Sequence, residues 1–190
     1  MIIQIRGTSG SGKTTAMRTV MDLLSRQTYV QIGRIEGRRN PLYYHWISAK
    51  LSVSVLGSYE STCGGVDTIH GYDQLQSLVR ERSDCGHVLM EGILLSEDVK
   101  QTLAMNERLC TADEPLRVIF LNTPLDVCLE RVRKRRAEAG NDKPLNETNT
   151  RNRVDTIQRA RARLETAGVL CRSAACSQVP RLVLSWLKGA

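Results

Sequence analysis

The eight residues Gly7-Thr8-Ser9-Gly10-Ser11-Gly12-Lys13-Thr14 leave few folds open to this chain. They match G-x-x-x-x-G-K-[ST] at every fixed position. The chemistry explains the residue types. Small residues let backbone N–H groups curl around a phosphate chain. Lys13 reaches the β- and γ-phosphates as a point charge. The Thr14 hydroxyl is a ligand for Mg²⁺. Thr15 opens the following helix, whose N-terminal dipole also favours an anion. An accidental Gly/Ser-rich turn would lack the flanks this one has. "MIIQI" before it reads as a short apolar strand. "TTAMRTVMDLLSRQ" after it reads as a helix, with Met17, Val20, Met21 and Leu24 at helical spacing. Gly7 to Thr15 therefore predict a nucleoside triphosphate site with a Mg²⁺ partner.

Downstream, apolar runs alternate with amphipathic ones. "TYVQIGR" reads as a strand, "PLYYHWI" and "LSVSVLG" as a hairpin about Ser48-Ala49-Lys50, and "HVLMEG" and "LRVIFLN" as buried strands. "YDQLQSLVRERS", "EDVKQTLAMNERL", "PLDVCLERVRKRRAEAG", "RVDTIQRARARLETAG" and "SQVPRLVLSWLKGA" read as helices, and "VLCRS" as a last short strand. "NDKPLNETNT" has no apolar anchor and reads as a mobile loop. The pattern predicts an α/β domain over residues 1–190, a mostly parallel sheet with helices on both faces. Ligands in such sheets sit at the carboxyl ends of the strands. Glu91 ends one apolar strand, where an acid either holds Mg²⁺ or takes a proton from a nucleophile; a plain surface acid at a strand end is the alternative. Gly92 beside it permits close approach of a ligand.

The chain carries a formal net charge of +7, unevenly placed. Residues 131–163 hold eleven Lys/Arg and four Asp/Glu, so the whole excess lies there. A one-signed surface of this kind predicts a polyanionic partner rather than a merely solvated helix pair. The six cysteines are scattered without C-x-x-C pairing, which argues against zinc and for free thiols in a reducing, cytosolic setting. No apolar run is long enough to span a bilayer, and no signal peptide is expected before the glycine-rich turn.

The turn, the apolar strand ending Glu91-Gly92 and "VIFLNTPLDVCLERVRKRR" together resemble the P-loop nucleoside and nucleotide kinases. The resemblance runs from Ile2 to about Leu164. It implies a five-stranded parallel sheet, a lid at about residues 136–153 that closes over ATP, and phosphoryl transfer to a hydroxyl or phosphate. By position, Arg131 and Arg135 or Arg136 match lid-entry arginines, and Arg151 and Arg153 those on the far side of the lid. The Asp-Arg-Tyr and Asp-x-Asp signatures of small-substrate members are absent, as is an adenylate-kinase lid pattern. Instead "VLGSYESTCGGVDTI", within a substrate-side hairpin and loop at about residues 37–70, is similar to a string in P-loop kinases of tailed bacteriophages. Within them is a group that phosphorylates 5-hydroxymethyluracil already incorporated in DNA, a step towards hypermodified thymidine.

Two features of the residues agree with double-stranded DNA as acceptor. Eleven cations exceed what ATP alone requires. Five of the eight aromatics, Tyr43, Tyr44, Trp46, Tyr59 and Tyr72, fall within thirty residues, where they either receive a flipped base or pack across a hairpin. For the general base, Asp67 after Gly64-Gly65 ranks first and Glu91 second, with Glu60 and Glu36 behind; capping the helix "YDQLQSL" is the structural alternative for Asp67. His45, His70 and His87 are isolated. The competing functions are a small-molecule nucleoside or nucleotide kinase and a non-transferring NTP-dependent switch.

Overall fold

A computed structural model describes residues 1–26, 28–111, 114–141 and 144–189. In chain order the elements are β1 (Ile2–Arg6), α1 (Lys13–Ser25), β2 (Val30–Gly33), β3 (Tyr43–Ile47), β4 (Ser52–Leu56), α2 (Tyr72–Ser83), β5 (His87–Glu91), α3 (Ile93–Glu97), α4 (Lys100–Leu109), β6 (Arg117–Leu121), α5 (Leu125–Glu138), α6 (Glu147–Thr166), β7 (Leu170–Ala174) and α7 (Val179–Lys188). The sheet has seven strands in the order β2-β3-β4-β5-β1-β6-β7. This corrects the expected five. The five strands β4-β5-β1-β6-β7 are parallel, as implied, but the meander β2-β3-β4 adds two antiparallel strands on the β4 edge.

The central strands are buried on both faces and so read as unbroken apolar runs. Successive residues alternate between two cores. Ile2, Val88, Met90 and Val118 join Leu78, Val79, Ile157 and Leu164 from α2 and α6 on one face. Ile3, Ile5, Leu89 and Ile119 join Met17, Val20, Leu24 and Val183 from α1 and α7 on the other. The β1–β5 register sets Ile5 opposite Glu91, so the acid at the end of β5 lies beside the turn that leaves β1.

Two boundaries differ from the sequence pattern. The helix expected from residue 97 is interrupted: Asp98 is extended and its carboxylate accepts from the N–H groups of Gln101 and Thr102, starting α4 afresh. The loop expected to run to Thr150 gives way to α6 at Glu147, because the Asn146 side chain accepts from the Asn149 N–H and caps it. Part of the expected lid, Asp142 and Lys143, lies outside the described residues. No helix among the described residues is long and apolar enough to cross a membrane.

Candidate active site

The turn between β1 and α1 folds back because its glycines reach conformations closed to other residues. Gly10 has φ +79°, and a Cβ there would lie 2.3 Å from the Cys128 carbonyl oxygen. Lys13 is buried and its Nζ donates to the carbonyls of Gly7 at 2.8 Å and Thr8 at 3.1 Å. Burial pushes its pKa down against the opposing charge of Glu91. The Thr14 hydroxyl donates to Glu91 Oε1 at 2.8 Å. Glu91 is 1% exposed, and burial raises its carboxyl to about 7 despite Lys13 and the Thr14 bond. A hydroxyl and a carboxylate side by side form a hard-oxygen donor pair that suits Mg²⁺, an ion that takes few protein ligands and keeps waters and phosphate oxygens.

These groups face a cavity of about 560 Å³. Ser9, Gly10, Gly12, Lys13, Thr14, Thr15, Asp67, Glu91, Arg131 and Arg135 all line it, so residues spread over most of the sequence meet in one place. Arg131 also donates to the Gly10 carbonyl at 3.2 Å. Gly7, Thr8 and Ser11 do not line it; they border a separate cleft of about 380 Å³ beside Arg161 and Phe120. Arg135 is on the cavity, whereas Arg136 turns aside to Asn141 at 3.3 Å. Arg153 pairs with Glu97 at 3.4 Å, and neither it nor Arg151 lines the cavity. Glu60 is held by Arg34 at 2.6 Å, and neither Glu60 nor Glu36 lines the cavity.

Asp67 lies in a 3₁₀ turn at residues 66–68. Its carboxylate accepts from the N–H groups of Ile93 at 2.7 Å and Leu94 at 3.3 Å. It is therefore a cap, but of α3 and not of α2, whose own N-cap is Gly71 without a side-chain bond. The loop before it is stapled at its neck. Gly65 N–H donates to the Ser58 carbonyl at 3.0 Å, and the Thr68 hydroxyl accepts from Ser58 N–H and donates to the Gly65 carbonyl. At Gly65, with φ +84°, a Cβ would lie 2.2 Å from the Glu91 carbonyl oxygen, so glycine is what brings this loop against β5.

Three lining groups escaped the sequence reading, Arg18, Ile93 and Cys176, while Thr62 and Cys63 come from the expected substrate-side loop. Arg18 was findable. It lies four residues after Thr14 on the same helix face, and its guanidinium holds the carbonyls of Tyr59 and Ser61. Cys176 and Ile93 arrive by tertiary folding. The aromatic group is mostly packing: Tyr44, Trp46 and Tyr59 are buried in the α1-side core, with Tyr44 stacked on Trp46 at 6.3 Å and edge-on to Tyr59 at 6.1 Å.

Residues 2–171 match the family model described as 5-hmdU DNA kinase. The 5-hmdU DNA kinase of Pseudomonas phage PaMx11 is 38% identical over 171 residues, 88% of this chain and 87% of the relative. That of Pseudomonas phage M6 is 29% identical over 84% of this chain and 82% of the relative. That of Delftia phage PhiW-14 is 24% identical over 78% of this chain and 58% of the relative. With these similarities along most of its length, this chain belongs to the 5-hmdU DNA kinase family.

Proposed function

We propose that the chain carries out its family's reaction as an ATP- and Mg²⁺-dependent transfer of the γ-phosphate to the hydroxyl of 5-hydroxymethyluracil in double-stranded DNA, in the host-cell cytoplasm. The observation that supports this best is the charge make-up of one cavity. The cations Lys13, Arg131 and Arg135 and the carboxylates Asp67 and Glu91 line it together with the Gly10–Thr15 turn and the Thr62–Gly64 loop. The adenine of ATP would lie in the adjoining cavity of about 640 Å³, which Arg131, Ala175, Cys176 and Ser177 help to line. Lys13 and the two arginines neutralise charge on the transferring phosphoryl group. Thr14 and Glu91 would hold Mg²⁺, which when bound supplies further charge neutralisation at the phosphate oxygens. Asp67, the more accessible acid, takes the proton of the attacking hydroxyl, with Glu91 second in rank.

The test is γ-labelled ATP offered with hydroxymethyluracil duplex DNA, ordinary duplex DNA and free nucleosides. Label should enter only the first; label on free nucleosides overturns the reading. Lys13→Ala should lower transfer by several orders of magnitude while leaving the circular dichroism spectrum unchanged. Near-normal transfer in that variant removes the phosphate loop from the mechanism.

A further inference from the structure

Glu91 and Thr14 lie at the floor of a cavity of about 560 Å³. A duplex does not fit such a space, so a base bound for phosphorylation there has to leave the stack. Extrusion leaves a gap, and proteins that open base steps fill it with an apolar side chain such as Leu, Ile, Phe or Met. Of the aromatic side chains around the loop at residues 57–68, Tyr44, Trp46 and Tyr59 are buried in the core, and Tyr72 is half-buried and lines, with Leu94, a small pocket of about 80 Å³ rather than the active-site cavity.

Leu94 has the needed properties. It is 59% exposed. It follows directly on Ile93, which lines the cavity, and its own N–H is held by the cavity-lining Asp67. The other large exposed apolar side chains among the described residues stand elsewhere. Tyr29, Ile32 and Ile47 belong to the β2–β3 edge of the sheet, Leu170 begins β7, and Ile35, in the turn whose Arg34 and Arg38 hold Glu60 and the Thr68 carbonyl, does not line the cavity or adjoin a residue that does. The turn that carries Leu94 is also fixed. Leu95 is buried in the core beneath it. The Ser96 hydroxyl accepts from Gly7 N–H at 3.1 Å and donates to the Gly92 carbonyl at 2.6 Å, tying α3 to the phosphate loop. A side chain that separates stacked bases must push from a rigid base, and α3 is anchored by these bonds and by Leu95.

We infer that Leu94 is the wedge that enters the DNA base stack and holds the acceptor pyrimidine out of it; the inference rests on the duplex-DNA reading above. Its removal should matter only where a stack must be opened.

The experiment compares Leu94→Ala with wild type on a duplex carrying one hydroxymethyluracil and on the same strand unpaired, with ATP saturating. The expected result is a loss in kcat/KM of about tenfold or more on duplex and less than about twofold on single strand. In the absence of ATP, 2-aminopurine placed beside the target should brighten on binding wild type and stay dim with Leu94→Ala, and Leu94→Met should restore both signals. Equal losses on the two substrates, or no loss on either, overturn the wedge. A wild-type enzyme that labels single strand but not duplex removes the duplex reading itself, and the wedge with it.

Discussion

At the scale of single residues, Asp67 is a candidate for two jobs that sequence reasoning treats as rivals. It faces the cavity, and both its oxygens accept backbone N–H groups at the start of α3. The acid was legible from its place after Gly64-Gly65. Its capping partner was not, because Asp67 and Ile93 are 26 positions apart and no local pattern records a bond across that separation. The two jobs separate experimentally. Asp67→Asn keeps an acceptor for Ile93 N–H and should change stability by about 1 kcal/mol or less, since Asn caps about as well as Asp. If Asp67 is the proton acceptor, single-turnover transfer in this variant should nevertheless fall by roughly 10²–10⁴-fold, with ATP and DNA binding retained. Asp67→Ala should lose the same activity and in addition about 1 kcal/mol of stability, read from urea midpoints. An active Asp67→Asn enzyme transfers the role to Glu91.

At the scale of elements, the basic stretch divides into arms with different employment. On α5, Arg131 and Arg135 face the cavity, while Arg133 pairs with Glu147. On α6, Arg161 is committed internally, bonded to Glu165 at 2.8 Å and to the Ser173 hydroxyl and lying over Phe120. Arg151, Arg159 and Arg163 are exposed, on the side of the helix turned away from the buried Ile157, Ala160 and Leu164. The triple Arg→Ala variant at these three should therefore bind duplex DNA more weakly, with a salt slope shallower by up to about three. ATP affinity should remain at the wild-type level. An unchanged slope places the DNA backbone elsewhere. The sequence disclosed the elements unevenly. β1, β5 and β6 are buried on both faces and announce themselves as apolar runs. The break at Asp98 and the early start of α6 depend on one capping side chain each, a signal that hydrophobic periodicity does not carry. The two extra strands were visible as runs, but the implied five-stranded frame left no place for them.

For the molecule as a whole, the site imposes a cost on the fold that bears on how activity and stability trade. Glu91 is an acid whose carboxyl is raised from an ordinary 4.5 to about 7, chiefly by burial. Between those values the folded chain holds a proton that the unfolded chain has released, so stability falls as pH rises through this window and the full cost is present above it. A shift of that size corresponds to about 3 kcal/mol. Glu91→Gln keeps an oxygen for the Thr14 hydroxyl and removes the buried charge. It should unfold at a higher urea concentration than wild type at pH 8, by up to about 3 kcal/mol in stability, and differ little from wild type near pH 5. The same variant should lose most phosphoryl transfer. In wild type, kcat/KM should rise with pH towards the ionised carboxylate, with the limb displaced below about 7 when Mg²⁺ is bound. Mg²⁺ with a non-hydrolysable ATP analogue should then raise the melting temperature of wild type more than that of Glu91→Gln, because a cation held by Thr14 and Glu91 would add to Lys13 as a partner for the buried carboxylate. A Gln variant no more stable than wild type at pH 8 would mean that Lys13 already offsets the charge fully, and that the phosphate loop is built without strain between its function and its fold.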